Sequence, residues 1–198
     1  MIDQPLPIEF YKQPTQDLAR ALLGCLLVKE SAEGTASGYI VETEAYMGAE
    51  DRAAHSFGNR RTKRTEIMFS AAGHVYTFMM HTHTFVNVVS GPLNTPEAIL
   101  IRAIEPLNGL DLIAARRGTN KKPVEWTNGP GKLTEALGIT KDDYGRLFTE
   151  SPLYIAPGYQ PEKILSGPRV GIDNTGEARF YPWRYWIADN PYVSATRK

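Results

Sequence analysis

Glu42, Glu44, a phenol and an imidazole fall within sixteen residues of this 198-residue chain, in "VETEAYMGAEDRAAHS" at positions 41–56. A fixed carboxylate can activate a water as general base, and an imidazole can accept or pass a proton. An aromatic ring stands beside the acids. Read as a strand, "YIVETEAY" alternates strictly. Val41, Thr43 and Ala45 point one way, while Ile40, Glu42, Glu44 and Tyr46 point the other. The second face is either solvated or the floor of a site.

Three further positions bear on that choice. Arg102 sits in "AILIRAI" with apolar neighbours on both sides. An unpaired buried guanidinium is too costly, so Arg102 needs a carboxylate, and Glu42 and Glu44 are available. One outcome is a structural ion pair; the other is an arginine that keeps Glu44 ionised and holds a water beside it. Asn87, in "FVNVVS", is an amide in an apolar strand, and if buried it must be hydrogen-bonded, to a neighbouring loop or to the edge of a ligand. His81 and His83, in "HTH", have the spacing that puts two imidazoles on one strand face. With His55 or Glu44 they would supply three protein ligands for a catalytic zinc; otherwise they are a polar hairpin tip. A metal-dependent hydrolase using His55, His81 and His83 is therefore one rival function. A non-catalytic nucleic-acid-binding module is another.

The elements that must position these groups alternate irregularly. "TQDLARALLG" predicts a short helix capped by Thr15 or Asp17 and ended by Gly24, and "CLLVKE" predicts a buried strand. "SAEGTASG" predicts a hairpin turn leading into the glutamate strand. "HVYTFMM", "TFVNVVS" and "EAILIRAI" read as strands, "LNGLDLIAARRG" and "GPGKLTEALGI" as helices. "RVGIDNTGEARFYPWRYWI" reads as two strands joined by a turn at "NTGEA". Without a βαβ rhythm, this is an α+β chain: one domain over 1–198 around a curved, largely antiparallel sheet. The composition agrees, with 42% hydrophobic residues and 22% charged, enough to bury one core.

One cysteine, Cys25, leaves no internal disulfide framework and fits a reducing compartment. No secretion signal and no apolar run of about 20 residues is present, so a cytoplasmic location is expected, without a membrane partner. Net charge is zero, with 22 basic and 22 acidic residues. Basic residues nevertheless cluster: Arg60, Arg61, Lys63 and Arg64 in "GNRRTKRT" suit phosphates or a solvated loop equally.

In combination, "VETEAYMGAEDRAAHS", "MFSAAGHVYTF", "ILIRAIEP", "NGPGKL" and "RVGI" resemble the alkyladenine type of 3-methyladenine DNA glycosylase, in order and from about Leu18 to Val193. The resemblance implies a monomeric, cofactor-free enzyme that flips damaged purines out of double-stranded DNA. It implies Glu44 as general base for a water attacking the sugar, with Arg102 holding the geometry. Tyr46 would stack on one side of the base, His55 and Phe78 on the other, and Asn87 would oppose the 2-amino group of guanine. Arg60, Arg61, Lys63, Arg64 and Lys132 would meet phosphates. His81, or else His83, would fill the gap in the DNA stack. Two departures stand out: the family has tyrosine where Phe78 stands, and "MMHTHTFVN" is one residue short.

Overall fold

The computed structural model describes residues 4–194. The elements, in order, are α1 (Thr15–Ala21), β1 (Leu26–Ser31), β2 (Gly34–Tyr46), β3 (Val75–Met80), β4 (His83–Val89), β5 (Ala98–Asn108), α2 (Leu110–Arg117), α3 (Val124–Thr127), α4 (Pro130–Leu137), β6 (Leu153–Ala156), β7 (Ile164–Gly167) and β8 (Arg184–Ile187). The strands form one curled antiparallel sheet in the order β3-β4-β5-β2-β1-β6, with β8 pairing both β2 and β7. The chain is a single α+β domain, as the sequence predicts.

The long strand β2 is the hub. Its first half lies between β1 and β5, and its second half between β8 and β5, so Glu42 and Glu44 have a partner strand on either side. The β2–β5 ladder slips between Ile40 and Glu42 and again between Glu42 and Thr43. The second slip leaves Arg102 without a facing residue, since Glu42 opposes Ala103 and Thr43 opposes Ile101. Such a bulge re-aims a side chain. Here it lets a cation leave an apolar strand toward the glutamates.

Helices cover the other face of the sheet. In α4, Leu133, Ala136 and Leu137 recur at helical spacing and join Val86, Val88, Ile99 and Ile101 in the main core. Pro130 stands in the first turn of α4, and Gly138 ends it at φ 74°.

The structure corrects several expectations. Thr15 does not cap α1; its hydroxyl instead meets Ser90 at 2.9 Å and Glu97. Gly24 lies beyond the helix, at φ 84°, where a side chain would strike the Tyr159 carbonyl. The β1–β2 turn is only Ala32–Glu33, because residues 34–38 continue the ladder. The segment "RVGIDNTGEARF" is not a strand: it is a loop followed by a 3-10 turn at Gly176–Phe180, and among the described residues only the strand β8 follows. Its backbone is engaged by side chains rather than by a ladder.

Candidate active site

One cross-strand row links four strands on the concave side. Tyr76 faces Asn87, Asn87 faces Leu100, and Leu100 faces Glu44. Because side chains alternate along a strand, this register gathers Tyr76, Phe78 and Met80 from β3 with Phe85 and Asn87 from β4. All five line a cavity of about 350 Å³, together with Tyr46, His55, Arg102 and the loop Val170–Thr175. That volume is within the usual range of about 300–1,000 Å³ for a small-molecule pocket.

The two glutamates divide. Glu42 Oε1 accepts from Arg102 Nε at 2.9 Å, Arg184 Nε at 2.7 Å and the Ser194 hydroxyl at 2.8 Å, while Oε2 accepts from Ser194 N–H at 2.7 Å. It is an internal hub and does not line the cavity. Glu44 Oε1 accepts from Val170 N–H at 2.7 Å and lies 3.2 Å from Arg102 Nη1; Oε2 accepts from the Tyr46 hydroxyl at 2.8 Å. Its side chain has no exposed surface, and all three partners line the cavity. Glu44 therefore stands immediately behind the wall. Arg102 bridges both acids: burial alone would lower its pKa, but Glu44 and Glu42 outweigh that and hold it above the ordinary value. Burial, then Glu44, raises the Tyr46 phenol, which stays a neutral donor.

The aromatic wall is tightly connected. The His55 and Phe78 rings pack edge to face with centroids 4.5 Å apart, and Phe78 lies 5.4 Å from Phe85. His55 Nδ1 meets the Tyr76 hydroxyl at 2.7 Å. Burial first, then the fields of Arg64 and Arg60, pushes His55 down to about 4 from an ordinary 6.5. Burial raises Tyr76. Both groups are thus neutral at pH 7. An imidazole depressed in the folded state is protonated first in the unfolded chain, so its contribution to stability falls as pH drops from 6.5 toward 4. NMR titration should find His55 still neutral at about pH 5. A midpoint above 6 would remove the argument that burial keeps it uncharged.

The remaining predicted residues lie around this cavity or beyond it. Asn87 is buried and donates Nδ2 to the Tyr76 carbonyl at 3.1 Å, leaving its other N–H and its oxygen uncommitted among the described residues. Arg60, Arg61, Lys63 and Arg64 are exposed in the loop before the 3-10 turn Glu66–Phe69. Arg61 is paired twice with Glu66, at 3.0 and 2.6 Å, so its charge is already matched. Lys132 donates to Asn128 Oδ1 at 2.7 Å; burial, then Arg117, lowers its pKa. His81 occupies the β3–β4 turn at φ 54°, and His83 packs against Gly131. Both are exposed, whereas His55 is in the cavity wall. Among the described residues no three His, Cys, Asp or Glu side chains form a possible metal-ligand set, so the zinc arrangement of His55, His81 and His83 is not built.

Sequence reasoning missed Tyr76 and Phe85, although both share the period-two face of Phe78 and Asn87. It also missed the Val170 N–H and the pair Arg169–Asp51, which no local pattern announces.

A sheet whose concave face carries an aromatic cavity backed by a buried, arginine-paired glutamate has the form of an enzyme's small-molecule pocket. Residues 9–191 match the family model described as methylpurine-DNA glycosylase. A Bacillus licheniformis protein is 70% identical over 96% of this chain and 97% of its own length, and one from Bacillus subtilis strain 168 is 67% identical over 96% of each. A Listeria monocytogenes relative is 46% identical over 96% of this chain and 92% of its own. All three bear the name "Putative 3-methyladenine DNA glycosylase". The chain belongs to the methylpurine-DNA glycosylase family. Among the described residues no helix is long and apolar enough to cross a membrane.

Proposed function

We propose that this chain is a monofunctional, cytoplasmic DNA glycosylase, acting as a monomer on damaged purines in double-stranded DNA. The observation that supports it best is the Glu44–Arg102 pair directly behind an aromatic cavity of about 350 Å³. A base stacked inside a duplex cannot reach such a cavity, so the nucleotide must be extruded, as it is by glycosylases in general. The flipped purine lies between Tyr46 and the His55–Phe78 wall. As the C1′–N bond breaks, its electron pair leaves with the base, and the sugar becomes oxocarbenium-like. A cationic base such as 3-methyladenine then departs neutral, without needing a proton. Glu44 takes a proton from the water whose oxygen bonds to C1′, and its charge stabilises the developing cation. Arg102 fixes the carboxylate. No cofactor enters this chemistry.

Arg60, Lys63 and Arg64, with Lys132, suit phosphates beside the pocket, and these contacts orient the duplex without reading its sequence. Arg61 has to leave Glu66 to do the same. The hairpin tip projects His81 beside exposed Met79 and Met80. His81 is proposed as the group that enters the vacated stack, with His83 braced on Gly131 as the second candidate for that role.

Base release from duplexes carrying one 3-methyladenine, 7-methylguanine, hypoxanthine or ethenoadenine tests this function. No release from any of them would overturn it. The same assay tests Asn87. Its uncommitted amide N–H opposes a 2-amino group, present in guanine and absent from hypoxanthine. Asn87→Ser should keep hypoxanthine excision within about tenfold, a change of about 1.4 kcal/mol, while raising excision of mispaired guanine. An unchanged hypoxanthine-to-guanine ratio would leave Asn87 as a strand residue tied to Tyr76.

A further inference from the structure

We propose that Arg169 and Asp51 are positioning residues for catalysis: their buried ion pair locks together the three chain segments that carry Tyr46, His55 and the Val170 N–H. The role rests on the glycosylase reading above. Both side chains have no exposed surface, and the guanidinium grips the carboxylate as a fork, Nη1 to Oδ2 at 2.5 Å and Nη2 to Oδ1 at 2.8 Å.

Each partner is anchored again. Nη1 also donates to the Ala45 carbonyl at 2.9 Å, at the end of β2, and Nη2 to the Ala178 carbonyl at 3.4 Å. Asp51 accepts from Met47 N–H at 3.1 Å and Ala53 N–H at 3.0 Å, which pins the turn running from Tyr46 to His55. The guanidinium carbon lies 4.7 Å from the Tyr46 ring centre and 5.0 Å from that of Trp183. Arg169 does not line the cavity and Tyr46 does, so the arginine backs the ring from behind. The next residue is Val170, whose N–H reaches Glu44.

Stability alone is a poor reason for such a pair. Apolar residues of similar volume often replace a buried ion pair without loss. A bidentate fork, by contrast, fixes angles as well as distance, and a loop carrying a catalytic hydrogen bond needs both. The arrangement ties the loop Val170–Thr175, one wall of the cavity, to the strand that carries the general base.

The test uses the full chain and single-turnover base release with enzyme in excess over a 3-methyladenine duplex. With folded enzyme saturating the duplex, that rate constant does not depend on what fraction of the protein is folded. Arg169→Lys keeps the charge but loses the fork and the flat stacking surface; Asp51→Asn keeps the shape but loses the charge. Either should lower the rate constant by about 10- to 100-fold, the scale of a catalytic group displaced by about 1 Å. Affinity for undamaged duplex should be unchanged. Asp51→Glu, which preserves the pair, should recover part of the rate. A lowered melting temperature or folded fraction with an unchanged rate constant would overturn the role, leaving the pair as scaffold. Wild-type protein that releases no base from any lesion duplex would overturn the glycosylase reading, and this role with it.

Discussion

Glu44→Gln should reduce single-turnover base release by at least about 10²–10⁴-fold, the usual contribution of a general base, and by more if charge stabilisation is lost too. Lesion-duplex affinity should change little, because the amide can occupy the carboxylate's place. Its oxygen can keep the Val170 N–H and the Arg102 contact made by Oε1, and its NH2 can donate to the Tyr46 hydroxyl near Oε2. The shape of the wall is kept and only the proton acceptor and its charge are removed. A rate within threefold of wild type would take the base role from Glu44. Glu42→Gln makes an informative contrast. Glu42 neutralises part of both Arg102 and Arg184 and accepts two bonds from Ser194, so its loss should appear first as lower stability.

Arg102→Met carries the second large expectation. It leaves Glu44 buried without a cation, and Glu42 with Arg184 alone. Removing one partner of a buried pair typically costs about 3–5 kcal/mol, because the remaining charge cannot be solvated. For a chain of this size that lowers the thermal midpoint by roughly 6–20 °C. Base release at a permissive temperature should fall as well, since Glu44 would lose the contact that fixes it. Arg102→Lys should restore stability more fully than rate, because an ammonium can neutralise one acid but cannot bridge two with separate nitrogens. A shift below about 2 °C for Arg102→Met would mean that water or rearranged side chains already compensate Glu44.

Both expectations begin from features readable in the chain alone. The alternation of "YIVETEAY" puts Glu42, Glu44 and Tyr46 on one face, and burial leaves Arg102 in need of an acid. Asn87 in an apolar strand demands a partner, and it has one in the Tyr76 carbonyl. Period-two patterning also marks the strands that form the row Tyr76–Asn87–Leu100–Glu44. These are consequences of local geometry, which a sequence carries directly. Sequence narrows the acidic partner of Arg102 to two candidates, and the structure uses both.

The division of labour between the glutamates was decided only by the fold. Two identical carboxylates two residues apart have the same local surroundings in sequence. Glu42 becomes a hub because Arg184 and Ser194 arrive from the far end of the chain, and Glu44 is fixed directly behind the cavity wall because Val170, which lines the cavity, does too. The region after Arg169 misled for the same reason. Its apolar and aromatic residues suggest strands, yet Val170 gives its N–H to a glutamate 126 residues away, and the chain runs on as a loop. Arg169 and Asp51 are 118 residues apart, and nothing near either one signals the other. A strand's facing pattern is fixed by bonds between neighbours in sequence. Which buried charge meets which is settled by how the sheet curls, because desolvation penalises every arrangement that leaves one unmatched.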